Sequence, residues 1–515
     1  MVQYFSKVVE DHAAERPDHA AYIFMDKETS YRTMNDNINQ VAQSFLDLGI
    51  RPGERVATIL PQSPAFVNIF MACASLGLVL VPLDPRFTAG EMISLCERTT
   101  PKLLVALAFP DSIKRAAEEL IKAVPIDNVF SFFGNFEVVK SRPYEMLLES
   151  SPVPVPDKLH PHPDDPLVII FTSGTTGKPK GALISHRNSY AISKATVDAC
   201  GSTPDDRVFY NMPTSHVGGT HDQITANLLG GGTAVICPTF NPQEMLEYMG
   251  KYRITVFGGV PTMYRLIFRQ CNVRDYDVSS ARFAIVSGEP SPPELIYQIK
   301  ENFPNATITA SWGMTETAGF FTFTKPDDDL KIVAETEGTP CAGFEMKVLR
   351  SDNTWAKPGE RGELCVKGDS VISSYMDEKD NENTFFEGWL KTGDLGFMDE
   401  RDYMHYVGRS KEMYISGGYN VYPLEIESFL NAHAKINTSA IIEVPDNLWG
   451  ERGIAFVVPE EGVEITEAEI MAYCKENLAD YKRPKKVVVE KDLPRTRVGK
   501  VDKQSIRREI GKYAD

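Results

Sequence analysis

The sequence predicts an α/β protein with largely parallel sheets, followed by a smaller unit of mixed strand and helix. Three observations carry this. Short apolar runs alternate with helical stretches through the first two thirds of the chain. A proline-rich run, 151-SPVPVPDKLHPHPDDP-166, separates two such series. Near residue 340 the texture changes, and short strands and turns crowd together.

In chain order, 37-NINQVAQSFLDLG-49 reads as helix and 55-RVATIL-60 as a strand. The stretch 66-FVNIFMACASLGLVLVPL-83 is nearly long enough to span a bilayer. Asn68, Ser75, Gly77 and Pro82 interrupt it, so it reads as a buried helix turning at Gly77 into a short core strand. The proline run excludes helix and central strand and reads as an extended connector. Strands then recur at 167-LVIIFT-172, 181-GALIS-185, 233-TAVIC-237, 254-ITVFGGV-260, 283-FAIVSG-288 and 306-ATITA-310. From about 340 to 408 the runs 346-MKVL-349, 362-GELCVKG-368 and 403-YMHYVG-408 predict a small β-rich subdomain. The last hundred or so residues hold strands at 438-TSAIIEV-444 and 454-IAFVVP-459. A helix follows at 466-TEAEIMAYCKENL-478, opened by a Thr466/Glu469 capping box. The expected domains are 1–408, a hinge at 409–411, and 412–515.

Composition narrows the function. A 515-residue chain exceeds what one core serves. A net charge of −17 argues against nucleic acid and anionic membranes as partners. Eight scattered cysteines with no CxxC argue against a zinc site or a disulfide framework and favour a reducing compartment. The N-terminus, MVQYFSKVVEDHAAERPDHA, lacks an apolar secretory core, so a cytoplasmic location is expected. Monomer and homodimer stay open.

The stretch 170-IFTSGTTGKPKGALISH-186 packs glycines, hydroxyls and lysines into one loop, as phosphate-holding loops do. It is no Walker A loop. Pro179 follows Lys178 where a metal-binding hydroxyl would stand, and a residue before proline resists helix. Flanking strands make it a hairpin loop. Further motifs follow in order: 311-SWGMTET-317, 392-TGDLG-396, 408-GRSKEMYISGGYNVYPLEIE-427 and 494-PRTRVGKVDK-503.

Together with TSGTTGKPKG, these motifs closely resemble the signatures of the adenylate-forming superfamily, which includes acyl-CoA synthetases, luciferases and peptide-synthetase adenylation domains. The resemblance runs through nearly the whole chain. It implies stacked α/β sheets, a β-rich subdomain and a small mobile C-terminal domain. It also implies a two-step reaction, in which a carboxylate attacks the α-phosphate of ATP and the thiol of coenzyme A then displaces AMP.

The resemblance assigns roles residue by residue. Thr172, Ser173, Gly174, Thr175, Thr176 and Lys180 hold the β- and γ-phosphates. Glu316 matches the Mg²⁺ carboxylate and Thr315 the α-phosphate contact. Trp312 matches the adenine-packing aromatic. Gly288, Glu289, Pro290, Ser311, Gly313 and Met314 lie along the nucleotide. Asp394 matches the ribose carboxylate and Arg409 a second ribose contact. Lys500 matches the mobile catalytic lysine, a point charge on a long stem. Lys411 matches the hinge, and Gly417 and Gly418 the coenzyme A channel.

His216 matches a residue beside the substrate carboxylate and shields or positions the acyl group. Val217 stands where amino-acid-activating relatives carry Asp, which disfavours amino acids. With Gly218, Gly219 and Gly313 lacking side chains, a roomy acyl pocket is expected, and Phe257, Phe320 and Phe321 are expected to make it flat and apolar. The expected acid is an apolar monocarboxylate larger than propionate, aromatic or alicyclic ahead of medium-chain. Two alternatives stand behind this reading: an enzyme loading a separate carrier protein, and a non-catalytic nucleotide-binding scaffold.

Overall fold

The structure is a computed structural model that describes residues 4–172, 179–289, 291–416, 419–446, 448–496 and 500–513. Two seven-stranded sheets dominate it. One runs in the order Arg142–Pro143, Asn128–Phe132, Leu103–Leu107, Arg55–Ile59, Val79–Pro82, Pro166–Thr172, Lys180–Ser185. The other runs Thr307–Ser311, Phe283–Ser287, Val256–Gly259, Arg207–Tyr210, Thr233–Ile236, Ala20–Phe24, Lys27–Ser30. Each is parallel except at one edge, where a hairpin turns the chain back. One edge hairpin is the glycine-rich loop's own: Thr172 pairs with Lys180 across it. The other edge is built from the N-terminal segment, whose hairpin pairs with a strand more than two hundred residues away. No local pattern in the sequence announces that pairing.

The apolar run at 66–83 is a helix and a strand, as expected. Pro64 opens the helix, Ser63 caps it, and Gly77 ends it at φ 63°. Every residue from Ala65 to Leu76 is buried, so the helix is apolar all round because it lies inside the core. Among the described residues no helix is long and apolar enough to cross a membrane.

A five-stranded antiparallel sheet follows, built on Glu345–Leu349, Gly362–Lys367, Phe385–Phe386, Trp389–Met398 and Met404–Arg409. The next strand, Tyr414–Ser416, belongs to a different sheet, with Tyr419–Val421, Gly450–Pro459, Ile436–Asp446 and Lys486–Val489. The chain therefore changes sheets between Arg409 and Tyr414. The last sheet has its own two apolar clusters, one on each face. The helix Glu467–Asn477 covers one face, and its Thr466/Glu469 capping box is formed.

Candidate active site

Four parallel strands of the second sheet, Arg207–Tyr210, Val256–Gly259, Phe283–Ser287 and Thr307–Ser311, end along one edge. The segments leaving those ends carry His216, Gly288, Glu289 and the 311–317 motif. Ligands of open α/β sheets sit outside such carboxyl ends.

Lys500 comes from the far end of the chain. Its Nζ donates a hydrogen bond to the Gly288 carbonyl. Gly288 has φ +88°, a conformation open to glycine, and this turns the carbonyl out at the strand end. A short hairpin presents the lysine: Thr496 N donates to Lys500 O at 2.6 Å and Asp502 N to Pro494 O at 2.7 Å. Burial pulls the ammonium below its ordinary pKa, and the Glu289 carboxylate opposes that. Asp394 and Arg409 act on the same charge.

His216 is solvent-exposed at the cleft, with protein packed around it. That enclosure pulls its pKa down to about 4, helped by the charge of Lys500. Its Nδ1 accepts the Gly218 N–H at 3.1 Å, which places the proton of the neutral ring on Nε2.

Asp394 and Arg409 are direct cross-strand partners. Arg409 Nε lies 3.0 Å from Asp394 Oδ1, and the Trp312 indole N–H donates to Oδ2 at 3.0 Å. Asp394 is almost fully buried. Burial pushes its carboxyl up, and Arg409 and Trp312 hold it back. Trp312 is itself a core residue here, packed edge-on against Phe321 at 6.3 Å, and about 8% of it stays exposed.

Glu316 sits in a tight turn, Thr315–Thr317. Its Oε1 accepts the Tyr375 hydroxyl at 2.6 Å. Burial raises its pKa and the Tyr375 bond opposes this. The Lys180 ammonium lies 4.7 Å above the Tyr375 ring and donates to the Asp380 carbonyl at 3.2 Å. Lys411 belongs to the same neighbourhood: burial, then Lys180 and Arg409, lower its pKa. Lys411 thus adds a third cation to Lys180 and Arg409. Magnesium keeps several waters and takes one or two carboxylates plus substrate phosphates, which suits Glu316, a buried carboxylate that Tyr375 fixes by one oxygen.

Other expected positions divide. Ser311 ties its strand end to Ser287, whose hydroxyl donates to Ser311 O at 2.6 Å. Met314 packs with Trp312 in the β-rich subdomain's core, and Thr315 is buried in the turn. Glu289 is held near Lys500 and Arg265, with burial raising its pKa. Ser173, Gly174, Thr175, Thr176, Pro290, Gly417 and Gly418 lie outside the described residues.

Five pocket expectations are corrected. Phe257 alternates with Val256 on one strand, so it faces the opposite side and packs against Phe303 and Tyr264 in the core. Val217 is likewise buried in the main core. Gly313 does not open the pocket: a Cβ there would fall 2.1 Å from the Gly319 carbonyl oxygen. The hairpin of Gly313–Met314 against Gly319–Phe320 needs that glycine for close backbone approach. Gly219 is explained the same way, by the Pro213 carbonyl at 2.2 Å. Phe321 stacks on Phe344 in the β-rich core, whereas Phe320 is half-buried edge-on against Phe323, in the cluster that holds Val256 and Ile285. Two residues escaped the sequence reading. Tyr375 lies outside every motif quoted, and Lys503, beyond the terminal motif's glycine–lysine pair, is described below.

A cleft that sets a lysine hairpin against a buried carboxylate paired with arginine and a buried glutamate fits the adenylate-forming class of enzyme. The chain belongs to the AMP-binding enzyme family: that family's pattern matches residues 9–376, and the AMP-binding enzyme C-terminal domain matches 425–500. It is an AMP-forming acyl-CoA ligase with ATP and coenzyme A as substrates. A Mycobacterium tuberculosis coenzyme A ligase, named for a propanoyl arm on a methyl-dioxo-octahydroindene, is 32% identical over 96% of both chains. The indoleacetate–CoA ligase of Aromatoleum aromaticum is 30% identical over 98% of both. The ATP-bound crystal structure of MatB from Rhodopseudomonas palustris is 28% identical and covers 99% of this chain and 100% of its own, with a TM-score of 0.88. The apo structure of that same protein gives 0.79.

Proposed function

We propose that this ligase activates an apolar-bodied monocarboxylic acid larger than propionate, with aromatic and alicyclic ring acids ahead of medium-chain fatty acids. The observation that carries the activation step is the contact of Lys500 with Gly288 O. It brings an ammonium from the C-terminal part to the cleft where His216, Asp394 and Arg409 also converge. The better superposition on the ATP-bound relative supports the same arrangement for adenylation.

In the first half-reaction a carboxylate oxygen bonds to the α-phosphorus while the bond to the β-phosphate's bridging oxygen breaks, and pyrophosphate leaves. Lys500 offers its charge to the α-phosphate as negative charge builds there. Neutral His216 bounds the acyl carboxylate without taking a proton, since the acid is already ionised at pH 7. Lys180 and Lys411 face the phosphates being released. Asp394 and Arg409 hold the ribose, and Trp312 offers its exposed face to adenine. Magnesium at Glu316 supplies charge neutralisation of the phosphates. In the second half-reaction the thiol sulfur bonds to the acyl carbon and AMP leaves with the electron pair. The C-terminal part, 412–515, turns about Lys411 to admit the thiol beside Gly417 and Gly418. The eight cysteines are all free thiols, in keeping with work in the cytoplasm.

Ring acids are favoured because the two ligases described above, among many relatives, are named for acids on fused rings. The half-buried Phe320 offers a flat apolar wall. The test is a panel of acids with ATP, Mg²⁺ and coenzyme A, reading AMP and thioester. Ring acids are expected to exceed acetate and octanoate at least about tenfold in kcat/KM. Preference for acetate or octanoate overturns the assignment.

A further inference from the structure

The turn that presents His216 belongs to the second sheet but is fixed in part by the first. It follows the strand Arg207–Tyr210, and His216 N donates to Pro213 O at 3.2 Å to close it. Three side-chain bonds join it to the strand ends of the first sheet. The Thr214 hydroxyl donates to Leu60 O at 2.8 Å, just beyond the strand Arg55–Ile59. The Gln62 amide donates to Met212 O. The Ser215 hydroxyl donates to Asp84 Oδ2 at 3.2 Å, just beyond the strand Val79–Pro82 and 131 residues away in sequence. The carboxyl ends of both sheets therefore meet at this turn.

No step above uses Asp84, yet it is only 4% exposed and firmly held. The Arg86 backbone N–H and Nε each donate to its Oδ1 at 2.9 Å, and Arg86 Nη2 donates to Oδ2 at 2.7 Å. Burial pushes the carboxyl pKa up, but Arg86 and then Ser215 more than offset that. The group is thus a carboxylate, which can only accept, and Ser215 is the donor. We propose that Asp84 is a positioning residue for the acid: through Ser215 it sets where His216 stands beside the substrate carboxylate. This rests on the role given to His216 above. Adjacent Cα atoms are about 3.8 Å apart, so a shift at Ser215 passes almost whole to His216. The ring's Nδ1 accepts from Gly218 N–H, two residues on, so the ring moves with its own segment. A misplacement of about 1 Å near reacting groups can cost about 100-fold.

The experiment follows AMP release with ATP, Mg²⁺ and coenzyme A over those acids of the panel that turn over, with indole-3-acetate, 3-cyclohexylpropanoate and octanoate among the probes. Ser215→Ala leaves the Asp84–Arg86 pair whole and is expected to raise KM for the acid at least about fivefold, with KM for ATP within about twofold. The rise should be alike for every acid, since each presents the same carboxylate. Asp84→Ala should raise KM for the acid at least as much, and Ser215→Thr, which keeps the hydroxyl, should restore it. In a His216→Ala background, Ser215→Ala should add less than about twofold, because its effect runs through the histidine. An unchanged acid KM in Ser215→Ala or in folded Asp84→Ala, an equal rise in KM for ATP, or full additivity with His216→Ala overturns the inference and leaves the role of His216 standing. If His216→Ala itself leaves KM for the acid unchanged, that role falls and the inference with it. The serine variant is decisive even if Asp84→Ala does not fold.

Discussion

Arg409 faces Asp394 directly across two antiparallel strands, with Nε 3.0 Å from Oδ1. Arg409 is the last residue of its strand, just before the chain changes sheets. The carboxylate proposed to hold the ribose is thus tied to the point about which the C-terminal part would turn. Asp394→Asn keeps an acceptor for Trp312 but halves the acceptors offered to two ribose hydroxyls. KM for ATP is expected to rise at least about tenfold with the fold retained, equivalent to roughly one charge-assisted hydrogen bond. ATP-saturation kinetics check this, and an unchanged KM removes Asp394 from the nucleotide site.

Lys500 reaches the cleft through a hairpin, so deleting its charge leaves the rest of the cleft standing. Lys500→Ala is expected to lower adenylate formation by about 100-fold or more, the scale of losing one charge-stabilising donor. Conversion of supplied acyl-adenylate to thioester should stay within about threefold. Equal loss in both half-reactions would show a structural role instead.

Among the described residues, the Tyr375 hydroxyl is the one side-chain bond that orients the Glu316 carboxylate. Partners of metal-holding groups commonly cost 10–100-fold in metal affinity when removed. Tyr375→Phe is therefore expected to raise the Mg²⁺ concentration for half-maximal adenylation by about tenfold, with smaller change in kcat at saturating Mg²⁺. An unshifted Mg²⁺ titration would place the metal elsewhere.

The α/β alternation, the hairpin around the glycine-rich loop and the capped helix at 467 were legible because each is set by local pattern. The pocket walls were not. Phe257 and Val256 are neighbours in sequence but face opposite sides of the sheet, and only the register says which side is the cleft. Gly313 and Gly219 read as empty space, yet both are filled by backbone carbonyls from segments several residues away. Tyr375 meets Glu316 across 59 residues, a contact that no short motif encodes. The nucleotide side, carried by contiguous motifs, was therefore far more readable than the acyl side.

Glu337 gives the protein a pH-dependent stability. Burial, and then the nearby charge of Asp394, push its carboxyl up to about 8 from an ordinary 4.5. The native state therefore keeps this proton where the unfolded chain has lost it. Stability is present in full below about pH 4.5 and is lost as pH rises through about 8. Thermal unfolding between pH 5 and 8.5 should show Tm falling with pH, and Glu337→Gln should flatten that slope. An identical slope in the variant means that other groups set it.

Lys503 anchors the hairpin that carries Lys500. Its ammonium lies 2.7 Å from Glu412 and 2.8 Å from Glu427, with Glu427 buried and Glu412 partly exposed. Burial pulls the lysine's pKa down, but Glu427 and Glu412 more than offset it. Glu412 immediately follows the proposed hinge, so this ion pair links hinge and catalytic hairpin directly. Lys503→Met strands the buried Glu427 carboxylate and unpairs the partly exposed Glu412, a change that costs roughly 3 kcal/mol or more in comparable buried pairs. Denaturant unfolding should show that loss, and adding Glu427→Gln should recover part of it by removing one stranded charge. If the lysine only stabilises, the two half-reactions of the folded variant will fall together. If it positions Lys500, adenylate formation will fall at least about tenfold while thioester formation from supplied adenylate holds.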